Sequence, residues 1–361
     1  MHFFPPAIGL DISESSVKAV SLKKDGEFFD LAAFGKAYLP TGTVVEGEIK
    51  NKEGFLEILN VLLGSEKSNF PRTKYLVVSL PEEKAFLRVL ELPLALKDQD
   101  LVNALKFEIE SNIPVSLAEV YYDYEIISEN KTSGHYDIVV NAIPKKIADD
   151  YTFLLNDNGY RVLALEMEAM ASRRALFAEK VYQDSILVLD IGSAQTRFMI
   201  ISEGALKFTS SNTLAGNQFS RALSEHFPLN LKEAEFMKRV VGLDKNHDKG
   251  REMLSVLRPS LISLKDQIQN YINFFETHPA SHQLSEGAKK ISKLILVGGG
   301  AALWGLTDWL SQELGLTVVL GNPLAKIKKD PYSKHKLSLE ESLAYASAVG
   351  LALRNFEEIE G

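Results

Sequence analysis

Ile8-Gly9-Leu10-Asp11-Ile12-Ser13 is an apolar run that ends in an aspartate and a turn, and Leu187-Val188-Leu189-Asp190-Ile191-Gly192 repeats it about 180 residues later. A third apolar run, Ile295-Leu296-Val297, closes on Gly298-Gly299-Gly300. Each reads as a strand that delivers a tight turn, the first two with a carboxylate at the strand end. Two such motifs half a chain apart predict two similar lobes facing each other across one ligand.

Outward from these motifs the pattern repeats as well. Ala7 to Asp11, Val17 to Leu22 and Phe28 to Lys36 alternate as strands around a turn at Lys24-Asp25-Gly26. A helix over Lys52 to Leu63 follows, with Phe55, Leu56, Leu59 and Leu62 on one face, and then a strand over Tyr75 to Leu80. The second half opens in the same order, with strands to Ile191, over Thr196 to Ser202 and over Leu206 to Ser210. Between the halves, strands at Ala85–Leu90, Val120–Ile127 and Tyr136–Ala142 and helices at Asp100–Ile109 and Ile147–Asn156 form a small α+β unit. The expected division is therefore 1–81 for the first lobe, 82–158 for an inserted domain, and 159–185 for the return to the first lobe. Residues 186–338 form the second lobe with a helical part near 230–292, and a final helix in 339–361 packs on the first lobe. The long helix Leu254–Phe275 carries Pro259, which implies a helix start or a kink there.

The 361 residues exceed the size at which one core stops growing. A 45% apolar and 24% charged composition is that of a globular protein, and the net charge of -8 gives no general reason to bind nucleic acid or anionic lipid. Lys326-Ile327-Lys328-Lys329 is a short basic cluster that reads as a solvated face. No apolar run is long enough to span a bilayer, and Met1-His2-Phe3-Phe4-Pro5-Pro6 lacks the basic flank of a secretory signal, so a cytoplasmic location is expected. Without cysteine there are no disulfides, thiolate nucleophiles or cysteine-bound metals.

A nucleotide triphosphate with magnesium needs carboxylates near the hydrated ion and backbone amides for the phosphates, and strand-end turns supply both. Asp11 and Asp190 are in place for that, although an aspartate before a small residue is also a common turn. Gly298-Gly299-Gly300 permits close approach to a ring or ribose, and Ala215-Gly216-Asn217 precedes a helix whose start could meet phosphate. His278 and His282 stand in loop-like sequence with no third ligand, and Asp244, His247 and Asp248 read as a solvated loop. There is no GxxxxGK[ST] loop, hydrolase elbow or zinc-deaminase signature. In the expected insert, Phe86, Leu90, Leu92, Leu94, Leu96, Tyr121, Tyr122 and Tyr124 admit two readings: the wall of a peptide groove, or the core of a small domain.

Four segments carry a family resemblance: Ile8 to Val20, Glu91-Leu92-Pro93 through Asn112-Ile113-Pro114, Val188 to Gly192, and Leu296 to Leu306. Through them the whole chain resembles the PilM family of type IV pilus assembly proteins, within the wider group that contains FtsA. The resemblance implies an α/β fold of the actin-like ATPase (ribonuclease H-like) type, two-lobed, with an inserted small α+β domain. It implies ATP and Mg2+ as ligands; with no general base evident in the sequence to activate water, hydrolysis is expected to be slow or absent. By residue it implies nucleotide contacts from Asp11, Ser13, Ser15, Ser16 and Lys18, from Asp190, Gly192, Ala194 and Thr196, and from Gly216 and Asn217. Glu235, Lys238, Gln267, Gly298, Gly299, Gly300 and Leu303 complete that set, with Asp11 and Asp190 toward the metal, through water. Ser13 departs from the family's usual glycine, and Glu14 adds a charge beside it. The implied partner is the N-terminal cytoplasmic peptide of the inner-membrane protein PilN, received by Phe86, Leu90, Leu92, Tyr121 and Tyr122, with other pilus components as further partners. That would place the chain at the inner membrane through its partner, with no transmembrane insertion of its own. Two other classes share the fold: an FtsA-like filament former, which would need a membrane-binding amphipathic end that Arg354 to Gly361 lacks, and a small-molecule kinase, which would need a carboxylate base and a substrate pocket.

Overall fold

The computed structural model describes residues 6–64, 69–131, 134–177, 184–277, 290–328 and 336–356. His278, His282, Lys329 and residues 1–5 lie outside the described residues. The chain divides into two compact units: one formed by residues up to Arg174, by Ala205–Thr209 and from Ser347 onward, the other by Ala175–Gly204 and Ser210–Ala346.

In the first unit, β1 (Ile8–Ile12), β2 (Ser16–Asp25) and β3 (Phe28–Tyr38) lead through a short hairpin, β4 (Val44–Val45) and β5 (Glu48–Ile49), into α1 (Lys52–Gly64) and β6 (Tyr75–Leu80). Then come β7 (Phe86–Pro93), α2 (Asp98–Asn112), β8 (Val120–Asn130), β9 (His135–Pro144), α3 (Lys145–Asp157), β10 (Arg161–Met167) and α4 (Glu168–Leu176). The main sheet has the order β10-β6-β1-β2-β3, with β10, β6 and β1 parallel and β2 and β3 antiparallel. All five residues of β1 and five of six in β6 are buried, as expected for central parallel strands covered on both faces.

β7, β9 and β8 form a separate three-stranded sheet in that order, with a core of its own around Leu90, Leu92, Leu105, Ile109 and Ile138. This sheet falls in the range expected for the insert, as does α3, which packs elsewhere. Ile147, Tyr151, Leu154 and Leu155 join Ile8, Leu10, Phe55 and Leu76 in the core of the main sheet, and the Tyr151 hydroxyl donates to Gly47 O at 3.0 Å. Burial raises the pKa of that phenol far above its ordinary value. The apolar periodicity of α3 faces the host sheet, so residues after Pro144 do not belong to the insert's own core.

The second unit repeats the main-sheet plan. β11 (Ser185–Ile191), β12 (Thr196–Ser202), β13 (Ala205–Asn212), α5 (Gly216–His226), α6 (Leu231–Val240), α7 (Asp248–Thr277), β14 (Ile291–Val297), α8 (Leu306–Leu314) and β15 (Thr317–Leu320) follow in order. Its sheet runs β13-β12-β11-β14-β15, with β11, β14 and β15 parallel and β11–β12 antiparallel. Pro259 lies inside α7, which begins at Asp248, so the expectation of a helix start there is corrected. Pro259 and Ser255, the residue four before it, are both exposed, so the carbonyl that loses its donor can turn to water.

The expected final helix is split into α9 (Leu339–Ser342), a 3-10 turn at Leu343–Tyr345, and α10 (Ala346–Arg354). The Leu343 carbonyl accepts from Gly298 N–H at 2.8 Å, so it does not serve a helical ladder. Within the first unit α10 lies tight against β1 and α4: a Cβ at Gly9 would come under 3.0 Å from Ala348 O and Ala352 N, and one at Gly350 under 3.0 Å from Ala171 O. Among the described residues no helix is long and apolar enough to cross a membrane.

Candidate functional site

The two aspartate motifs fold into the same device. In the first, the Ser13 N–H donates to Ser16 O at 3.0 Å, closing a tight turn between β1 and β2, and Asp11 stands opposite Lys18 in the antiparallel register. Lys18 Nζ lies 2.7 Å from Asp11 Oδ2. In the second, the Gly192 N–H donates to Gln195 O at 2.9 Å, Asp190 stands opposite Arg197, and Arg197 Nη1 lies 2.9 Å from Asp190 Oδ2. Cross-strand pairing on one face brings each acid to its base. Arg197 is absent from the residues expected from the sequence. The signal for it was present: a basic residue seven positions after the aspartate, as Lys18 follows Asp11.

Asp11 is 2% exposed, and its Oδ1 is buried with no hydrogen-bond partner. The Ser13 hydroxyl is turned back onto Ser16 O at 2.9 Å, so the departure from glycine adds a local hydrogen bond. Glu14 accepts from the Glu46 N–H at 2.8 Å, which holds its carboxylate at the β4–β5 turn. Ser15 contributes its carbonyl to Leu39 N–H at 2.9 Å, and Ser16 is buried.

In the second unit the expected residues converge more closely. The Gly216 N–H donates to Gly192 O at 3.0 Å and the Asn217 N–H to Ser193 O at 2.9 Å, so α5 starts against the β11–β12 turn beside half-buried Ala194. Lys238 of α6 donates from Nζ to Gly216 O at 3.0 Å and to Glu235 Oε1 at 2.6 Å. Burial lowers the Lys238 pKa, with Glu235 pulling it back up. Gly298 has φ +85, and a Cβ there would come under 3.0 Å from Asp190 Oδ1 and Ile191 O. A Cβ at Gly300 would likewise strike Ile191, whereas Gly299 has room. Leu303 is buried and its N–H donates to Gly300 O at 3.2 Å. Gln267 on α7 accepts from the Asn212 side chain, whose Oδ1 takes the Leu214 N–H at 3.0 Å; it is joined to the Gly216 loop through Asn212. Thr196 is fully buried with Oγ1 unpartnered.

Within the first unit, the buried, unpartnered Asp11 Oδ1 is a group that a hydrated cation satisfies; within the second, the buried, unpartnered Thr196 Oγ1 is a group that a hydrogen-bonding ligand or water satisfies.

The expected peptide residues divide into two sets. Leu90 and Leu92 are buried in the insert's core against α2, and Phe86 packs on the same core, because residues two and four apart on β7 share the face that meets the helix. Leu90 and Leu92 are therefore corrected to structural residues, whereas Phe86 is partly buried at the margin of that core. Tyr121 and Tyr122 of β8, with Asp123, instead line a cavity of 390 Å³ whose other wall is β10 from Val162 to Met167, with Met170 and Arg354 at its margin. β8 and β10 are both edge strands of their sheets, so the cavity lies between two open edges. The Tyr121 hydroxyl donates to Asp149 Oδ1 at 3.1 Å, which raises its pKa, and the Lys145 ammonium sits 5.4 Å from its ring centroid. At the margin, Glu166 accepts from Arg174 Nη1 at 2.6 Å and Nη2 at 2.7 Å, and from Arg354 Nη1 at 3.0 Å.

The comparisons with known proteins bear on the fold and the family. A solved structure titled PilM-PilN type IV pilus biogenesis complex is 24% identical, covers 98% of this chain and 99% of its own, and superposes with TM-score 0.78. Ethanolamine utilization protein EutJ from Carboxydothermus hydrogenoformans matches at 16% identity over 98% of this chain and 91% of its own, with TM-score 0.55. MreB5 of Spiroplasma citri bound to AMPPNP matches at 14% identity over 96% and 95%, with TM-score 0.54. The fold is therefore actin-like, with two sheets in two lobes, as expected from the sequence. The family model for type IV pilus assembly protein PilM matches residues 9–356, which spans both aspartate motifs, the insert and the glycine loop, and the chain belongs to that family.

Proposed function

We propose that this chain is an ATP-binding adaptor of the type IV pilus inner-membrane assembly complex, and that it receives the N-terminal cytoplasmic segment of a PilN-like protein between β8 and β10. The observation that carries the peptide reading is the cavity between two open strand edges, walled by Tyr121, Tyr122 and the apolar stretch Val162–Leu165. An extended segment can bond its backbone to such an edge while alternate side chains enter the cavity. The structure in the PilM-PilN complex supports the choice of partner. The adaptor would then work in the cytoplasm and reach the inner membrane through that partner.

ATP is the ligand we assign to the aspartate and glycine motifs, with Mg2+ held by Asp11 and Asp190 through water. When bound, the ion offsets phosphate charge. The chain's own part is to offer the cationic Lys18, the turn at Gly192 and a base-side loop at Gly298–Gly300. Both motif carboxylates are engaged by a basic side chain, Lys18 or Arg197, and slow or absent hydrolysis is part of this reading. The test is calorimetric titration of the partner's N-terminal peptide into the protein, free and preloaded with ATP and Mg2+. Saturable one-to-one binding is expected; no binding in either state would refute the adaptor reading.

A further inference from the structure

Glu91 of β7 stands directly opposite Asp137 of β9, and His135 lies two residues before Asp137 on the same strand. Directly paired residues, and residues two apart on one strand, share a face of the sheet. All three therefore lie on the face turned away from the core that Leu90, Leu92 and Ile138 build with α2. Facing carboxylates repel, and a cation shared between them relieves the repulsion. His135 Nε2 lies 3.2 Å from Asp137 Oδ1 and 4.0 Å from Glu91 Oε2, and one donor atom from each residue lies within 4.8 Å of the other two. The Lys207 ammonium, in the same unit, is 3.9 Å from the other oxygen, Asp137 Oδ2, so Oδ1 is the atom turned to the imidazole.

The imidazole carries the discriminating detail. Its Nε2 is buried and makes no hydrogen bond, although the Asp137 oxygen is within reach by distance. A protonated ring held as an ion-pair partner would aim its N–H at that oxygen, whereas a ring that ligates an ion aims its nitrogen between the oxygens. Bonds of about 2.0–2.2 Å to a tetrahedral ion set neighbouring ligand atoms roughly 3.3–3.6 Å apart. The 3.2 Å and 4.0 Å separations bracket that range, within reach of small side-chain rotations. The His135 and Asp137 side chains are 12% and 13% exposed, and Glu91, at 39%, opens the group to solvent.

We propose that Glu91, His135 and Asp137 bind a divalent transition-metal ion of the zinc class, which fastens the end of β7 to the start of β9. One imidazole nitrogen with two carboxylate oxygens suits zinc, while magnesium and calcium favour shells of oxygen alone. Three protein ligands leave the fourth position to water. None of the three residues lines the cavity between β8 and β10 or belongs to the aspartate and glycine motifs, so the proposal is independent of the peptide and ATP readings.

The experiment is calorimetric titration of ZnCl2 into EDTA-treated, dialysed wild type, His135→Ala and Glu91→Gln, repeated in excess MgCl2. Wild type is expected to bind one equivalent of zinc more than His135→Ala does, and Mg2+ is expected not to displace it. Glu91→Gln should bind that equivalent at least about tenfold more weakly, since loss of even a group that supports a metal ligand costs roughly 10–100-fold. Zinc should raise the thermal midpoint of wild type and not that of His135→Ala. Co2+ in place of zinc should give the visible absorption of a tetrahedral centre in wild type alone. Glu91→Gln alters an exposed side chain by one atom, so it decides the matter if His135→Ala misfolds. Zinc binding equal in wild type and Glu91→Gln would overturn the proposal. So would a wild type that binds no zinc, which would leave His135 as an ion-pair partner of Asp137, or one whose zinc Mg2+ displaces.

Discussion

Alanine at Gly9 would drive a methyl group into the junction of β1 and α10. The added carbon would fall under 3.0 Å from Ala348 O and Ala352 N, against an unstrained separation of roughly 3.5 Å, so the helix or the strand must retreat by at least ~0.5 Å. Both obstacles are backbone atoms and cannot swing aside as a side chain would. The cost is therefore expected at the upper end of overpacking, about 3 kcal/mol. With a urea slope of about 2 kcal/mol/M, the midpoint of the first unit should fall by roughly 1.5 M. Gly64→Ala is the control, because nothing lies within 4 Å of its added carbon at the end of α1. It should leave the unit unchanged or about 0.5 kcal/mol more stable. Both tryptophans, Trp304 and Trp309, lie in the second unit, so far-UV circular dichroism and tryptophan fluorescence together distinguish where the loss falls. If Gly9→Ala unfolds at the wild-type urea concentration, the close packing of α10 on β1 is wrong.

Tyr121→Ala should weaken binding of the partner peptide by about tenfold with little change in melting, whereas Leu90→Ala should cost about 2–5 kcal/mol in urea unfolding because it empties the insert's core; the reverse pattern would return Leu90 to the groove. Gly298→Ala combines a Cβ against Asp190 with a φ of +85, and should both destabilise the second unit by about 3 kcal/mol and abolish ATP binding in calorimetry. Lys238 has its pKa lowered below the ordinary 10.5, chiefly by burial. Between that lowered value and 10.5 the unfolded chain binds more protons than the folded one, so stability should rise with pH through this alkaline window. Lys238→Met should remove the rise; a slope that persists in alkaline urea titrations would assign it to other groups.

The strands β1, β6, β11 and β14 were legible because central parallel strands read as unbroken apolar runs, and the turns were legible because the runs of β1, β11 and β14 close on aspartate or glycine and that of β6 on Pro81. Leu90 and Leu92 were ambiguous for a definite reason. Alternation on β7 says which residues share a face, but not whether that face meets a helix or a ligand. The helix α3 was read from the sequence as part of the insert, and its packing on the host sheet is a matter of tertiary contact that periodicity does not show. The β4–β5 hairpin was missed because two-residue strands leave no periodic trace. Arg197 was missed because its role lies in register across the hairpin, and that register appears only when Asp190 and Arg197 are counted against Asp11 and Lys18. The break in the final helix has no local signal either: it is made by Gly298, more than forty residues earlier, taking the Leu343 carbonyl.

The docking of α10 on β1 and α4 also bears on how the chain is made. A ribosome releases β1 early, but the strand's Gly9 face and Ala171 wait for residues 347–354 before anything covers them. During that interval the second unit has been synthesised almost in full, as a nearly continuous stretch that can form its own sheet. The first lobe is therefore completed late, and its uncovered sheet face is the apolar surface that a nascent-chain chaperone would have to guard.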